Sequence, residues 1–518
     1  MNKGIEINEQ FGRALDIMEN SNRHIFITGK AGTGKSTLLE YFRSVTGKNI
    51  AVLAPTGVAA LNVQGQTIHS FCGFKPDITL DKVKKVPRHK APLYKKLDAV
   101  IIDEVSMVRA DLLDCVEKFL ALNGPRPKKL FGGVQMILIG DLYQLPPVVT
   151  SKERRVFASQ YAAPYFFASR VFQDLRFDME FVELEKIYRQ TEADFIDLLN
   201  AIRNRSVSDR EIQRLNSRCD PDFVPPDDEF YVHLTSTNDL AYDRNREKLE
   251  TLPGQASGYR GLIDGEFETS YLPTDEVLEL KKGAQVMMVN NDKKGRWVNG
   301  TVGKIVDIRK VDGGEDILEV ELRGGEVADV HPQAWELFRY DYDADSKKIV
   351  TEAVGSFLQY PVKLAWAITI HKSQGKTFDR VIIDIGRGTF AHGQVYVALS
   401  RATSFDGIVL KKAISKSHIR MDYQVIKFLT RFQYRIAEEK QSYQEKYALI
   451  CEAIRGRKEL DVLYLKPDDT KSRRRILPEA IEMMDYKGKA FEGVRAFCRL
   501  RGENRHFRID RMLEVKDS

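Results

Sequence analysis

The chain has 518 residues, 43% hydrophobic and 30% charged, with a formal charge of +6. That length exceeds one ordinary domain and predicts about three to four, with large buried cores. No apolar run reaches the ~20 residues that span a membrane, and Met1 to Asn22 contains no apolar leader segment. The five cysteines (Cys72, Cys115, Cys219, Cys451 and Cys498) are scattered, which argues against a cysteine zinc site and points to a reducing compartment, the cytoplasm. The mild positive charge permits a nucleic-acid partner without demanding one.

In chain order, residues 7–19 predict a short amphipathic helix. Its Gln10 either pads the sheet or reaches a nucleotide base, since Gln offers donor and acceptor together. The run His24-Ile25-Phe26-Ile27-Thr28 predicts a buried strand. It feeds Gly29-Lys30-Ala31-Gly32-Thr33-Gly34-Lys35-Ser36-Thr37, a P-loop that opens a helix. The glycines let backbone amides close around phosphate oxygens beside the positive end of the helix dipole. Lys35 is placed to reach the β- and γ-phosphates, and the Ser36 hydroxyl to ligate Mg²⁺. The chain is expected to bind a nucleoside triphosphate.

A second strand, Asn49-Ile50-Ala51-Val52-Leu53-Ala54, ends in the small-residue turn Pro55-Thr56-Gly57. Strands alternating with helices imply a parallel sheet, whose ligands gather at the carboxyl ends of its strands. Residues 71–97 hold Lys82, Lys84, Lys85, Arg88, Lys90, Lys95 and Lys96, a basic insertion expected to have little core of its own. Next comes Ala99-Val100-Ile101-Ile102-Asp103-Glu104. Asp103 would hold Mg²⁺ through water, and Glu104 would orient and deprotonate the attacking water. The strand Met136-Ile137-Leu138-Ile139 leads to Gln144, placed to sense the γ-phosphate, with Pro146-Pro147 stiffening the loop.

These blocks together (GKAGTGKS, APTGVAA, TIHS, DEVSM, FGGVQ and GDLYQLPPV) resemble the superfamily 1 helicases of the Pif family, which are RecD-like. Four further blocks extend the likeness: Leu184 to Gln190, carrying Arg189; Leu234 to Asn238; Ala367 to Gly375; and Gly393 to Ala402, carrying Arg401. The resemblance covers about residues 5–415. It implies an α/β protein with two RecA-like parallel-sheet domains, residues 1–180 for the first, and 181–279 with 355–417 for the second. Arg189 and Arg401 would act as arginine fingers, a role worth about 10³–10⁵ in rate. Gly375 would lie at the nucleotide. It further implies ATP and Mg²⁺ as cofactors and 5′→3′ movement on single-stranded DNA.

Strand contacts are expected from turns at the sheet edges: Pro55, Thr56, Gly57, His69, Thr235, Asn238, His371 and Lys372. Short strands between Gly, Asn and Asp turns over 280–354 predict an inserted small β-barrel. Its Lys293-Lys294-Gly295-Arg296-Trp297 turn pairs cations with an exposed aromatic suited to DNA. A helical linker is expected over 418–458. Residues 459–518 resemble a WYL domain through Tyr464, Pro478 and Phe507-Arg508-Ile509-Asp510-Arg511, without the Trp-Tyr-Leu triplet itself. There, period-two alternation puts Arg495, Phe497, Arg499 and Arg501 on one face, and Val494, Ala496, Cys498 and Leu500 on the other. The arginine face is either solvated surface or a polyanion site.

The functional expectation is a monomeric bacterial helicase acting on single-stranded, tailed or forked DNA. Two alternatives stay open: a RecD-type motor subunit of a nuclease, and an ATP switch controlling the C-terminal module.

Overall fold

The computed structural model describes the chain apart from residues 1–6, 151, 189, 191, 227, 387–391, 467–470 and 487–488. Its contacts separate two compact units, residues 1–200 with 208–420, and residues 201–207 with 421–518.

The first unit begins with a six-stranded parallel sheet. Its strands are β1 (His24–Gly29), β2 (Ile50–Ala54), β3 (Gln66–Thr67), β4 (Ala99–Ile102), β5 (Gln135–Ile139) and β6 (Met179–Leu184). They lie in the order β3-β2-β4-β5-β1-β6. Continuous apolar runs form these strands because helices cover both faces. Ile25, Ile27, Ile101, Ile137 and Ile139 pack with Leu38, Leu39 and Phe42 of the Lys35–Val45 helix and with Phe11, Ala14, Ile17 and Met18 of the Glu9–Asn20 helix. The latter helix ends without a basic residue in its last turn. Lys48 supplies the missing cation, donating to Met18 O (2.5 Å), Ser21 O (2.6 Å) and Gln135 Oε1 (2.8 Å).

The basic insertion is better anchored than expected. Val83, Leu93, Tyr94 and Leu97 are buried, Tyr94 Oη donates to Phe71 O (2.7 Å), and Asn123 Oδ1 accepts from Val86 N (2.9 Å). A few apolar residues thus face inward, while Lys84, Lys85, Arg88, Lys90, Lys95 and Lys96 stay exposed.

The chain continues through β7 (Val232–Thr235), β8 (Ser257–Arg260), β9 (Leu262–Gly265), β10 (Val277–Leu280), β11 (Gln285–Met288), β12 (Val302–Arg309), β13 (Ile317–Leu322), β14 (Val327–Val330), β15 (Gln333–Asp343), β16 (Lys348–Gln359) and β17 (Val362–Leu364). It then adds β18 (Ala367–Thr369), β19 (Val381–Ile383) and β20 (Ile408–Leu410), which with β7 make a second parallel sheet ordered β18-β7-β19-β20.

In the region expected to form a small barrel, the strands make a five-stranded antiparallel sheet, β14-β13-β12-β11-β17. Among the described residues no pairing joins β14 to β17. β15 and β16 form a long hairpin with β9 and turn toward the first sheet. Tyr340 Oη accepts from Val52 N (2.8 Å), where β3 is too short to pair, and Asn49 Oδ1 accepts from Ile349 N (3.1 Å).

The second unit holds the Tyr423–Lys440 and Tyr443–Gly456 helices and an antiparallel sheet, β24-β23-β22-β21-β25. Its strands are β21 (Leu460–Leu465), β22 (Lys471–Tyr486), β23 (Lys489–Cys498), β24 (Glu503–Arg508) and β25 (Met512–Asp517). Val494, Ala496 and Cys498 are buried as the alternation requires. Leu500 is not. It is 65% exposed, because β23 ends at Cys498 and the chain turns.

One buried group ties stability to pH. His24 Nδ1 accepts from Met136 N (3.0 Å) between the rings of Phe131 and Phe177. Burial lowers its pKa to about 4, against a smaller opposing pull from Asp178. The fold therefore holds neutral imidazole, while the unfolded chain protonates near 6.5. This contribution is complete above pH 6.5 and is lost as pH falls toward about 4, at most roughly 3 kcal/mol. Thermal unfolding midpoints should fall over that window, and His24→Gln, which keeps an acceptor, should fall less. Parallel pH profiles of the two proteins would refute the assignment.

Candidate functional site

The strand order places β4, β5 and β1 side by side, so their carboxyl ends bring Asp103, Asp141 and Gly29 to one edge. At the end of β1 the turn takes left-handed backbone at Gly32 (φ 80°) and Gly34 (φ 87°). Gly34 is the N-cap of the Lys35–Val45 helix, so the amides of the turn sit at its positive end. A side chain at Gly29 would strike Leu184 O at 2.7 Å, since the turn closes against the end of β6. Lys35 Nζ donates to Gly29 O (2.8 Å) and Lys30 O (3.0 Å), holding the ammonium over the turn. Ser36 and Thr37 are exposed at the helix start, whereas Ala31 and Thr33 are buried. Gln10 comes only within 3.5 Å of Glu185 Oε2, just past β6.

Asp103 and Glu104 follow β4. Glu104 carries left-handed backbone (φ 50°), uncommon for a side chain with Cβ and a form of strain that concentrates at working sites. Burial raises the Glu104 carboxyl to about 7, helped by the Asp103 charge and, less, by Asp141; Lys35 and Arg401 pull the other way. Burial also raises Asp103, opposed by a hydrogen bond from the Glu104 backbone and by Lys35. Three carboxyls thus face two cations. Among the described residues no group of three His, Cys, Asp or Glu side chains forms a metal cage.

The second parallel sheet supplies the other wall. Gln144 is buried, donates to Asp141 Oδ2 (3.4 Å) and accepts from Gln374 Nε2 (3.4 Å), on the loop after β18. Gly393 (φ 72°) starts the Gln394–Leu399 helix, and a Cβ there would lie 2.3 Å from Tyr143 O. From that helix the Tyr396 hydroxyl accepts from the P-loop amide of Ala31 (3.2 Å). Arg401 is fully buried, donating to Val397 O (2.9 Å), Ser373 O and Lys376 O (3.2 Å each) and Ser400 Oγ (2.8 Å). Gly375 (φ 75°) is exposed on the same loop.

Arg189 lies outside the described residues, but its neighbours are placed. Tyr188 N donates to Gly32 O (2.8 Å), and Gln190 Nε2 donates to Ser400 O and Ala402 O (3.2 Å each). That segment therefore touches both the P-loop and the Arg401 turn. Tyr188 and Tyr396 were not singled out in the sequence, although both stand inside the family blocks; their place in the same blocks as Arg189 and Arg401 was the available signal.

The expected strand contacts also lie at sheet edges. Pro55, Thr56 and Gly57 follow β2, and Thr56 caps the Gly57–Asn62 helix by accepting from Ala59 N (3.3 Å). His69 is partly buried, which lowers its pKa against a smaller pull from Asp111. His371 is likewise lowered by burial, while Lys372 and Asn238 are exposed. Thr235 is buried at the end of β7, and its hydroxyl donates to Thr237 O (3.1 Å).

Trp297 is a correction. It is 5% exposed, donates through Nε1 to Asn290 Oδ1 (3.0 Å) and lies under the Arg296 guanidinium, itself paired with Asp292. It packs in the core of the antiparallel sheet because its turn folds back over Asp292. In the second unit, Arg495 pairs with Glu479 and Glu482, Arg499 with Glu459, Arg475 with Asp461 and Arg508 with Asp510.

Comparison with known proteins follows this geometry. A family model described as PIF1-like helicase matches residues 8–213, a UvrD-like helicase C-terminal domain matches 364–404, and a WYL domain matches 445–517. The ATP-dependent DNA helicase PIF1 of Danio rerio is 35% identical over 408 residues, 75% of this chain; the chain spans 58% of that relative, less than two thirds of its length. The ATP-dependent DNA helicase Pif1 of Bdellovibrio bacteriovorus is 33% identical over 442 residues, 83% of this chain and 93% of the relative. Pif1 from Bacteroides in complex with ADP-AlF4 superimposes with a TM-score of 0.75 at 36% identity, covering 83% of this chain and 97% of that one. The same Bacteroides protein bound to single-stranded DNA gives a TM-score of 0.59, at 36% identity over 82% of this chain and 96% of that one. On the agreement of sequence, sheet order and cleft, this chain belongs to the PIF1-like helicase family and carries a WYL domain at its C-terminal end.

Proposed function

We propose that the protein is an ATP-dependent DNA helicase that moves 5′→3′ along single-stranded DNA and unwinds tailed or forked duplexes. The observation that carries this reading is a nucleotide edge built by one parallel sheet and met by groups from another. Lys35, Asp103 and Glu104 stand on the first; Gln374, Tyr396 and Arg401 come from the second. In such an arrangement hydrolysis alters how the two sheets fit, and strand-binding turns on both sheets then change their spacing.

Each side chain has a separable task. P-loop amides and Lys35 bind the phosphates. Ser36 and Asp103 would hold Mg²⁺, and the lack of a three-acid cage among the described residues suits a cation that takes its remaining ligands from phosphate and water. Bound there, the ion neutralises phosphate charge. Glu104 orients the attacking water and takes its proton, a role matched to a carboxyl raised to about 7. Gln144 reads the γ-phosphate. Arg401 and Arg189 stabilise charge on the transferred phosphoryl group. Residues 1–180 form the first motor domain, with 181–279 and 355–417 the second; 280–354 would form a small barrel-like module on the second, with 418–458 linking to 459–518. Among the described residues no helix is long and apolar enough to cross a membrane, and the five cysteines are free thiols, which supports a place in the bacterial cytoplasm.

Two measurements test the reading. Lys35→Ala should reduce single-strand-stimulated ATP hydrolysis by at least ~10²-fold, and Glu104→Gln by about 10²–10⁴-fold while still binding ATP. Near-normal turnover in Lys35→Ala would remove the site assignment. Matched duplexes with a 5′ or a 3′ single-stranded tail report direction. Unwinding of the 5′-tailed duplex is expected, and unwinding confined to the 3′-tailed one would reject the proposed polarity.

A further inference from the structure

Gln190 is a buried amide on the segment that leaves β6, between two groups of the nucleotide edge. Its Nε2 donates to Ser400 O and Ala402 O, 3.2 Å each, the two carbonyls that flank Arg401. One nitrogen with two N–H groups therefore brackets the backbone of the arginine. Those carbonyls need a donor. The Gln394–Leu399 helix ends there, with Ser400 as its C-cap, and the last carbonyls of a helix have no partner within it. Between them, Arg401 O accepts from Phe378 N (2.9 Å).

The same segment is held at its other end by the P-loop. Tyr188 N donates to Gly32 O (2.8 Å), where the turn takes its left-handed form, and two residues later Gln190 meets the Arg401 turn. Glu192 continues the run, its Oε2 accepting from Phe405 N (3.3 Å). Residues 188, 190 and 192 thus meet Gly32, then Ser400 with Ala402, then Phe405. The Arg401 guanidinium donates to Val397 O, Ser373 O, Lys376 O and Ser400 Oγ. These bonds fix the side chain to loops of its own sheet. The bonds from Gln190 fix that turn to a segment anchored on the P-loop.

We propose that Gln190 is a positioning residue for phosphoryl transfer: its two bonds set the Arg401 turn against the P-loop, and it acts on the γ-phosphate only through Arg401. The proposal rests on the reading of Arg401 as an arginine finger and adds the group that relays P-loop position to it. Glutamine suits the task by its length and its two donors. Glutamate would set an acceptor against two carbonyls, and asparagine falls one methylene short. An arginine finger acts on charge that develops in the transition state, so its displacement lowers kcat and leaves ground-state binding in place.

The test is a double-mutant cycle on the full chain, read by single-strand-stimulated ATP hydrolysis. Gln190→Met keeps the length and removes both donors. It should lower kcat by about 10- to 10²-fold, while KM for ATP and the calorimetric affinity for ADP stay within about twofold. In the Arg401→Ala background, single-turnover hydrolysis should show no further loss from Gln190→Met, because the arginine through which it acts is gone. A loss by the same factor in both backgrounds assigns Gln190 to the general fold and overturns the proposal, as does a wild-type kcat in Gln190→Met. Should Gln190→Met fail to fold, Gln190→Asn carries the same expectations. Failure of the underlying reading looks different: Arg401→Ala alone then hydrolyses ATP at the wild-type rate.

Discussion

Everything at the nucleotide edge depends on the parallel alignment of β4, β5 and β1. Because all three run the same way and lie adjacent, three chain segments far apart in sequence end at one line: Asp103, Asp141 and Gly29. The cost is electrostatic. Carboxyls gathered at a buried edge lose solvent and repel one another: desolvation raises both Asp103 and Glu104, and the Asp103 and Asp141 charges raise Glu104 further. Lys35 and Arg401 offset it from opposite sides, one from each sheet. A carboxyl cluster that depends on a cation from another sheet makes chemistry sensitive to how those sheets meet.

Close backbone approach keeps the meeting tight. Gly393 fits against the carbonyls of Tyr143 and Gln144 only because it lacks Cβ, and this brings the Gln394–Leu399 helix near enough for Tyr396 to reach Ala31. The segment with Tyr188 and Gln190 ties the P-loop to the turn bearing Arg401. Arg401 itself spends several donors on nearby carbonyls, so its guanidinium is oriented by its own loop. Small shifts in Arg401 would therefore move the Ser373–Lys376 turn.

Much of this was legible in the sequence, for a physical reason. Buried parallel strands are apolar throughout, and the residues that follow them are polar or glycine, so β1, β2, β4 and β5 announce both themselves and their functional ends. The inserted region was not legible in the same way. Period-two alternation says which face of β15 and β16 is buried, but not against what, and the partner proved to be the first sheet through Tyr340. Trp297 failed similarly: an aromatic amid lysines gives no sign that Asp292 will draw its turn inward. Leu500 failed because alternation continues on paper after a strand has ended.

Net charge alone does not distinguish paired cations from unpaired ones. The C-terminal unit is rich in arginine, yet Arg475, Arg495, Arg499 and Arg508 each have a carboxylate partner within the unit. Exposed pairs of this kind contribute little stability, but they reduce the field available to a polyanion. The lysines of the first unit differ. Those of the basic insertion are mostly exposed, with Lys82 paired to Asp77. Cations without partners release counterions when a phosphate arrives, and that release drives non-specific strand binding. For any polyanion, the physical distinction that matters is between paired and unpaired cations.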